Sequence, residues 1–270
     1  MNFITGEKIQ NDCDLFIATP EMLNYNPNIT INHPKSFNIY TLNYEFDNPK
    51  FIYTYNDDLY LFKEKIVFLK NPFVLISHNS DKIIFNNDIY NYIANNEKII
   101  KWYTQNLLFN HPKVFIIPSG IANSQWLHGN LNYISTALNN IENKTNKIYF
   151  NFSINTNANK RTDCFLKLKD FLEISEKKQQ SDYFNYLASF RFAICPEGNG
   201  IDSHRIWECY YLKVIPIVID NLFIRKIKSK YNLPMIILND WYELRNIKLE
   251  YNNFDNSILD YFVLRNEIFN

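Results

Sequence analysis

The sequence predicts an α/β protein built from two strand–helix series, and three observations carry that expectation. Short apolar runs such as Phe73-Val74-Leu75-Ile76-Ser77 and residues 214–219 lack the alternation of a half-exposed strand, which is the pattern of strands covered on both faces of a parallel sheet. Helix-sized segments separate the runs, giving a strand–helix–strand rhythm. The stretch 131–146 starts as a helix and ends rich in Asn and Lys, and that end reads as a linker between the two series.

In the first series, the run ending at Ser77 delivers the polar loop His78-Asn79-Ser80-Asp81. A helix is expected over 87–95 and a strand over 113–117, closed by Pro118-Ser119-Gly120. The second series opens with a strand over 147–153, followed by helices over 160–173 and 181–190. A strand over 191–195, a loop over 196–202, a helix over 203–212, a strand over 214–219, a helix over 222–231 and a strand over 235–238 complete it. Residues 255–269 have the pattern of an amphipathic helix. The implied division is an N-terminal unit over 1–140, a second unit over 141–250, and a C-terminal helix within 251–270 that packs back toward the first. Ligands of open parallel sheets bind beyond the carboxyl ends of the strands. The loops at 78–81, 118–123, 151–161 and 196–205 are therefore expected to face a cleft between the units.

A chain of 270 residues buries a large core and sits where chains begin to split into two domains. Lys+Arg and Asp+Glu are both 28, so no overall basic field exists to hold nucleic acid by counterion release. An anion must be bound by a local pocket instead. No stretch approaches the length of an apolar membrane span. The N-terminus turns polar within a few residues and lacks the apolar region of a signal peptide, which predicts a cytoplasmic location, the host cytoplasm if the source is viral. Cys13, Cys164, Cys195 and Cys209 are scattered without a CxxC pair and are expected as reduced, buried thiols. The chain holds 41 asparagines among many Ile, Lys and Tyr, a bias toward A/T-rich codons, so the sequons at Asn28, Asn143 and Asn151 read as chance matches. There are 5 glycines where average usage gives about 19, so each survivor is informative. Gly6 reads as N-terminal punctuation; Gly198 and Gly200 stand two residues apart.

That glycine pair belongs to the stretch Cys195-Pro196-Glu197-Gly198-Asn199-Gly200-Ile201-Asp202-Ser203-His204-Arg205-Ile206-Trp207-Glu208, which runs from an apolar strand through a loop into a helix. Asp202 or Ser203 is a good N-cap. A helix N-terminus presented by such a loop attracts anions through its free N–H groups and macrodipole. Arg205 adds a fork of donors suited to phosphate oxygens. His204, Arg205 and Glu208 project to one side of the helix, where Glu208 can accept hydrogen bonds from ribose hydroxyls. The loop is neither a Walker A motif nor GxGxxG.

The same residues, followed by Val214-Ile215-Pro216-Ile217-Val218, closely resemble the donor-binding signature of exostosin-like glycosyltransferases (family 47), especially their compact soluble forms in large DNA viruses and some bacteria. Asn151-Phe152-Ser153-Ile154-Asn155-Thr156-Asn157, with Arg161, resembles the first strand-loop of the family's nucleotide domain. Ile117-Pro118-Ser119-Gly120-Ile121, with Asn123 and Trp126, resembles the stretch before the interdomain crossing. Two departures stand at the helix end: Lys213 where relatives carry glycine and Cys209 where they carry alanine. The resemblance implies a GT-B fold, two Rossmann-like domains facing a central cleft, with a UDP-sugar held mainly by the second. It also implies inversion at the anomeric carbon, no essential metal and no cofactor. The donor set is then Ser153, Thr156, Arg161, Glu197, Gly198, Asn199, Gly200, Asp202, Ser203, His204, Arg205 and Glu208.

Asp12-Cys13-Asp14 matches Asp-x-Asp by letter, but polar Gln10-Asn11 precede it and an apolar run follows, so it reads as a turn into a strand. Asp57 and Asp58 are adjacent rather than spaced. Transfer with inversion needs one general base for the acceptor hydroxyl, and the loop after Ser77 offers Asp81 or His78. Asn79, Ser80, Trp126 and His128 are the expected acceptor contacts. His33-Pro34 and His111-Pro112 read as loop starts. The reading is a hexosyl- or pentosyltransferase, xylose being one candidate sugar, acting on a glycan hydroxyl. Its rivals are a catalytically silent glycan- or nucleotide-binding module on the same fold, and an α/β kinase, which lacks its phosphate-loop lysine here.

Overall fold

Runs of apolar residues with no polar face leave water only when both faces of a sheet are covered, and two parallel sheets result. The computed structural model describes residues 1–25, 35–43, 45–46, 48–139, 141 and 144–270. Asn28, His33, Pro34 and Asn143 lie outside the described residues. The chain forms two compact units, one of Ile4–Ser119 with Arg265–Asn270, the other of Met1–Phe3 with Gly120–Leu264.

The first unit carries β1 (Leu15–Ala18), β2 (Ser36–Asn38), β3 (Phe51–Tyr55), β4 (Phe73–His78), β5 (Ile99–Thr104) and β6 (Val114–Ile116). They pair in the order β2-β1-β3-β4-β5-β6, and every pairing is parallel. Its helices are α1 (Gly6–Asn11), α2 (Pro20–Tyr25), α3 (Leu59–Lys65) and α4 (Asp88–Asn95). α4 starts where the Asn87 side chain accepts from the Tyr90 amide at 2.8 Å. Strand order reverses between β1 and β3, the topological switch at which open sheets form their ligand crevice.

The second unit carries α5 (Leu131–Leu138), β7 (Thr145–Tyr149), α6 (Ala158–Leu168), α7 (Gln180–Ala188), β8 (Phe190–Ile194), α8 (His204–Tyr211), β9 (Ile215–Ile219), α9 (Leu222–Tyr231) and β10 (Ile236–Leu238). Its four strands pair in the order β10-β9-β8-β7, again all parallel. Phe150, Cys164, Phe192, Ile194, Ile217 and Trp241 are at the centre of its core. Such parallel α/β layers are of the Rossmann-like kind. α10 (Tyr261–Phe269) crosses the division, and Arg265–Asn270 count with the first unit. There the Arg265 Nε lies 2.7 Å from Asp12 Oδ2, and the Phe269 and Phe51 rings are 4.8 Å apart.

The strand expected over 147–153 stops at Tyr149. Asn151 turns away, its amide donating to the Ser175 carbonyl at 2.7 Å, and a 3-10 turn over Ile154–Asn157 leads into α6. The expected junction at 140/141 also differs from the compact units, which divide between Ser119 and Gly120. Lys213 has φ of 56°, a left-handed conformation that glycine adopts at the least cost. Cys209 Sγ packs 3.8 Å from Cys195 Sγ, and all four cysteines are free and buried. Among the described residues no helix is long and apolar enough to cross a membrane.

Two glycines prove to be sites of close approach. A Cβ on Gly6 would fall 1.7 Å from Asn79 Oδ1, so this residue seats α1 against the Asn79 side chain and is more than punctuation. A Cβ on Gly129 would fall 2.0 Å from the Asn123 carbonyl oxygen, an obstacle of backbone rather than of a movable side chain. Gly129→Ala should therefore destabilise the chain by about 1–3 kcal/mol, read as a lower denaturant midpoint. An unchanged midpoint would remove this account of the turn.

Candidate functional site

The loop from β8 to α8 is held from below by α6. The Arg161 Nε donates to the Glu197 carbonyl at 2.9 Å, and its Nη1 donates to the Ser153 carbonyl at 2.8 Å. Asn157 does two jobs: its side-chain oxygen caps α6, and its amide donates to the Gly198 carbonyl at 2.7 Å. Neither glycine of the pair has a positive φ; among the described glycines that belongs to Gly120. A Cβ on Gly198 would instead lie 3.4 Å from Arg161 Nη2 and 3.8 Å from the Thr156 methyl. Gly198 therefore packs directly against the guanidinium, where even a methyl group would be in contact. Asn199 is exposed and Gly200 buried.

Arg205 stands in the first turn of α8 with its guanidinium over two rings that themselves meet edge-on, 5.0 Å from the Tyr149 centroid and 5.4 Å from that of Tyr183. Its Nη1 donates to the Asn151 carbonyl at 3.0 Å, and its Nε lies 3.7 Å from Glu208 Oε2. Glu208 is no surface charge. It is 5% exposed and accepts from the Tyr183 hydroxyl at 2.6 Å. Burial lowers the Arg161 pKa, and the nearby Arg205 charge lowers it further. The two cations thus share one patch whose repulsion a bound anion relieves.

Ser203 stands at the N-cap of α8 but makes no side-chain capping bond, and the Asp202 carboxylate accepts from the Trp207 indole at 2.5 Å. His204 is bound at Nδ1, which donates to the Gly120 carbonyl at 2.8 Å. Trp126 and His128, expected with the acceptor unit, belong to the same compact unit as α8. Their rings stack at 6.1 Å and 19°, and the His128 ring is 6.5 Å from that of His204. Burial and then the His204 charge lower the His128 pKa.

In the other unit, the loop after β4 contains the two expected bases. His78 is 1% exposed; its Nε2 donates to the Pro118 carbonyl at 3.0 Å and its Nδ1 faces Asn79 Oδ1 at 3.2 Å. Asp81 is exposed. The backbone on either side of it is clamped by buried amides. The Ser80 carbonyl accepts from Gln105 Nε2 and from Asn106 Nδ2 (2.8 Å), and the Lys82 carbonyl accepts from Asn56 Nδ2 at 3.2 Å. The Ser80 hydroxyl accepts from the Lys82 amide, while the Asn79 amide nitrogen donates to Gln105 Oε1 at 3.1 Å. Asn79 and Asn106 adopt φ of 55° and 53°, a left-handed conformation kept where the surroundings enforce it. Asn79 and Ser80, expected as acceptor contacts, here build the loop. Burial raises the Tyr25 phenol, and the charges of Asp81 and Asp57 raise it further, so this ring and these carboxylates are neighbours.

Sequence reasoning missed Gln105, Asn106 and Asn56, although the polar Thr104-Gln105-Asn106 after an apolar strand was a signal for a strand-end site. It also missed Tyr149 and Tyr183, whose cation-holding role leaves no mark in spacing. The Asp-x-Asp letters are structural. Asp12 ends α1 and meets Arg265, while the Asp14 carboxylate accepts from the Lys50 and Phe51 amides at 2.9 and 3.0 Å. Asp58 is bound by the Thr19 amide at 2.7 Å. Among the described residues, no three His, Cys, Asp or Glu side chains gather as a metal site needs.

The family model of the RXYLT1 C-terminal domain matches residues 117–258, more than half of the chain. The chain belongs to this family. The RXYLT1 C-terminal domain family is one of xylosyltransferase-like, exostosin-related glycosyltransferases. Its match takes in β7 to β10, both arginines, the glycine loop and the Trp126–His128 pair, and begins within three residues of the compact unit at Gly120. No curated protein matches the chain.

Proposed function

We propose that the chain is an inverting, metal-independent glycosyltransferase of the GT-B type, moving xylose from a UDP-sugar to a glycan hydroxyl. The observation that carries this reading is the pair Arg161 and Arg205, the latter in the first turn of α8. Two cations at a helix N-terminus together suit a diphosphate. As the bond between the anomeric carbon and the diphosphate oxygen breaks, negative charge grows on the leaving group, and donors already in place stabilise it. Glu208, held by Tyr183, accepts from the ribose hydroxyls. Asp81 takes the proton of the acceptor hydroxyl while that oxygen forms the new bond to the anomeric carbon. Asp81 is preferred to His78 because His78 is buried with both ring nitrogens engaged. The exposed Trp126, stacked on His128, offers an aromatic face to a sugar ring.

A thermal-shift series with UDP, UDP-xylose and other nucleotide-sugars, with and without a chelator, tests the reading. A ligand of the native state stabilises it by about 2.7 kcal/mol at a hundred times its Kd. UDP and one UDP-sugar should raise the melting temperature equally in both buffers, and incubation with acceptor should release UDP. A silent binding module would show the shift without the release. No shift with any nucleotide would overturn the proposal.

A further inference from the structure

Cys195 is the first residue after β8, at the start of the glycine loop, and Cys209 stands on α8, next to Glu208 and one turn past Arg205. Their sulfurs are 3.8 Å apart and both thiols are free. A disulfide holds its sulfurs about 2.0 Å apart, so an approach of about 1.8 Å closes the pair. The two thiols are unequal. Cys209 is fully enclosed, whereas Cys195 lines a partly open cavity at the carboxyl ends of β8, β9 and β10, together with Ile219, Asn221 and Trp241. That cavity offers about 110 Å³ to water-sized molecules, where a single water needs roughly 10–15 Å³.

The surroundings set the order in which the two would react. Arg161 and Arg205 both lie within electrostatic range of the Cys195 sulfur, and guanidinium neighbours are the setting in which cysteines meet oxidants productively. Burial, and then the Cys195 contact, push the Cys209 thiol up, so Cys209 is not the first to react. The backbone sets which side moves. The Cys195 amide donates to the Ile217 carbonyl at 2.9 Å and pins that residue to the sheet, so the approach of the sulfurs is taken up by α8. The same helix is joined to its neighbours by the Tyr183 bond to Glu208 at 2.6 Å and by the Arg205 bond to the Asn151 carbonyl at 3.0 Å. Hydrogen bonds of this length tolerate little displacement.

We propose that Cys195 and Cys209 are an oxidation site for hydrogen peroxide, and that the disulfide they form pulls α8, with Arg205 and Glu208, out of its anion-holding position. The Cys195 sulfur attacks one peroxide oxygen, the O–O bond breaks, one water leaves and Cys195 becomes a sulfenic acid. The Cys209 sulfur then attacks that of Cys195, the S–O bond breaks, and the hydroxyl leaves as a second water with the Cys209 proton. The two thiols lose two electrons in all, and the peroxide is reduced to two waters.

Mass spectrometry of the full chain after hydrogen peroxide, with alkylation in denaturant, tests the pairing. Of the four thiols, two should become closed to the alkylating reagent, a linked peptide should join Cys195 to Cys209, and dithiothreitol should reverse both changes. Isothermal titration should then show UDP affinity lower by about tenfold or more in the oxidised protein, the loss of one hydrogen bond to a charged group. Cys209→Ala should bind UDP like the reduced wild type and keep that affinity after peroxide. Four alkylatable thiols after peroxide, or oxidation that stops at Cys195 without a linked peptide, would overturn the pair. A linked peptide with unchanged UDP affinity would overturn its effect on α8, as would an equal loss in oxidised Cys209→Ala. The UDP measurement rests on the glycosyltransferase reading above; if reduced wild-type protein binds no UDP, that reading fails, while the thiol count still decides the cross-link.

Discussion

Arg205→Ala lowers sugar transfer by roughly two or more orders of magnitude, the loss expected when one preorganised donor to a developing anion is removed. The same change is not silent in the fold. The guanidinium packs over Tyr149 and Tyr183 and donates to the Asn151 carbonyl, and without it the buried Glu208 carboxylate keeps only Tyr183 of these two partners. A stability loss of about 1–3 kcal/mol should accompany it. Arg205→Lys separates the two effects. The ammonium keeps a charge near the rings but has no planar fork, so the variant should melt close to wild type and still lose most of its turnover. Turnover at the wild-type level in both variants would remove Arg205 from the chemistry.

Asp81→Asn abolishes the base and should cut turnover by about 10²–10⁴, the usual contribution of a positioned general base. Donor binding should not change, since the substitution is isosteric and far in sequence from the loop at 196–205. The clamp gives a second measurement. Gln105→Ala frees one of the two amide contacts on the Ser80 carbonyl and should lower kcat with little effect on the affinity for UDP. If Asp81→Asn turns over normally while His78→Gln does not, the assignment of the base is reversed.

Much of this site was legible before any coordinates. The strand–loop–helix at 190–211, the Arg205 and Glu208 spacing, and the resemblance all follow from residue order alone. The helix over 222–231 was read to the residue, because Asn221 is a strong cap and Asn232 tolerates the left-handed turn that ends it. The strand over 147–153 was read too long. Phe150 and Phe152 continue the apolar pattern, and only the Asn151 bond to Ser175 turns the backbone away. The Gly198–Gly200 pair was noticed for the backbone freedom of glycine, yet neither residue uses a positive φ. What Gly198 supplies is close packing against an arginine, a fact about a neighbour 37 positions earlier in the chain.

The sequence by itself determined the α/β class, the strand ends that carry loops, and the stretch proposed to bind the anion. These depend on local periodicity, capping and short-range spacing, which neighbouring residues decide. Tertiary structure alone decided the partners. It set Arg205 over Tyr149 and Tyr183, buried Glu208, brought Asp202 to the Trp207 indole, and clamped the backbone around Asp81 with amides from two other strand ends. Parallel pairing causes the difference. It brings the carboxyl ends of distant strands side by side, so polar residues far apart in the chain compete for the same few buried partners, and the winner follows from packing geometry rather than residue order.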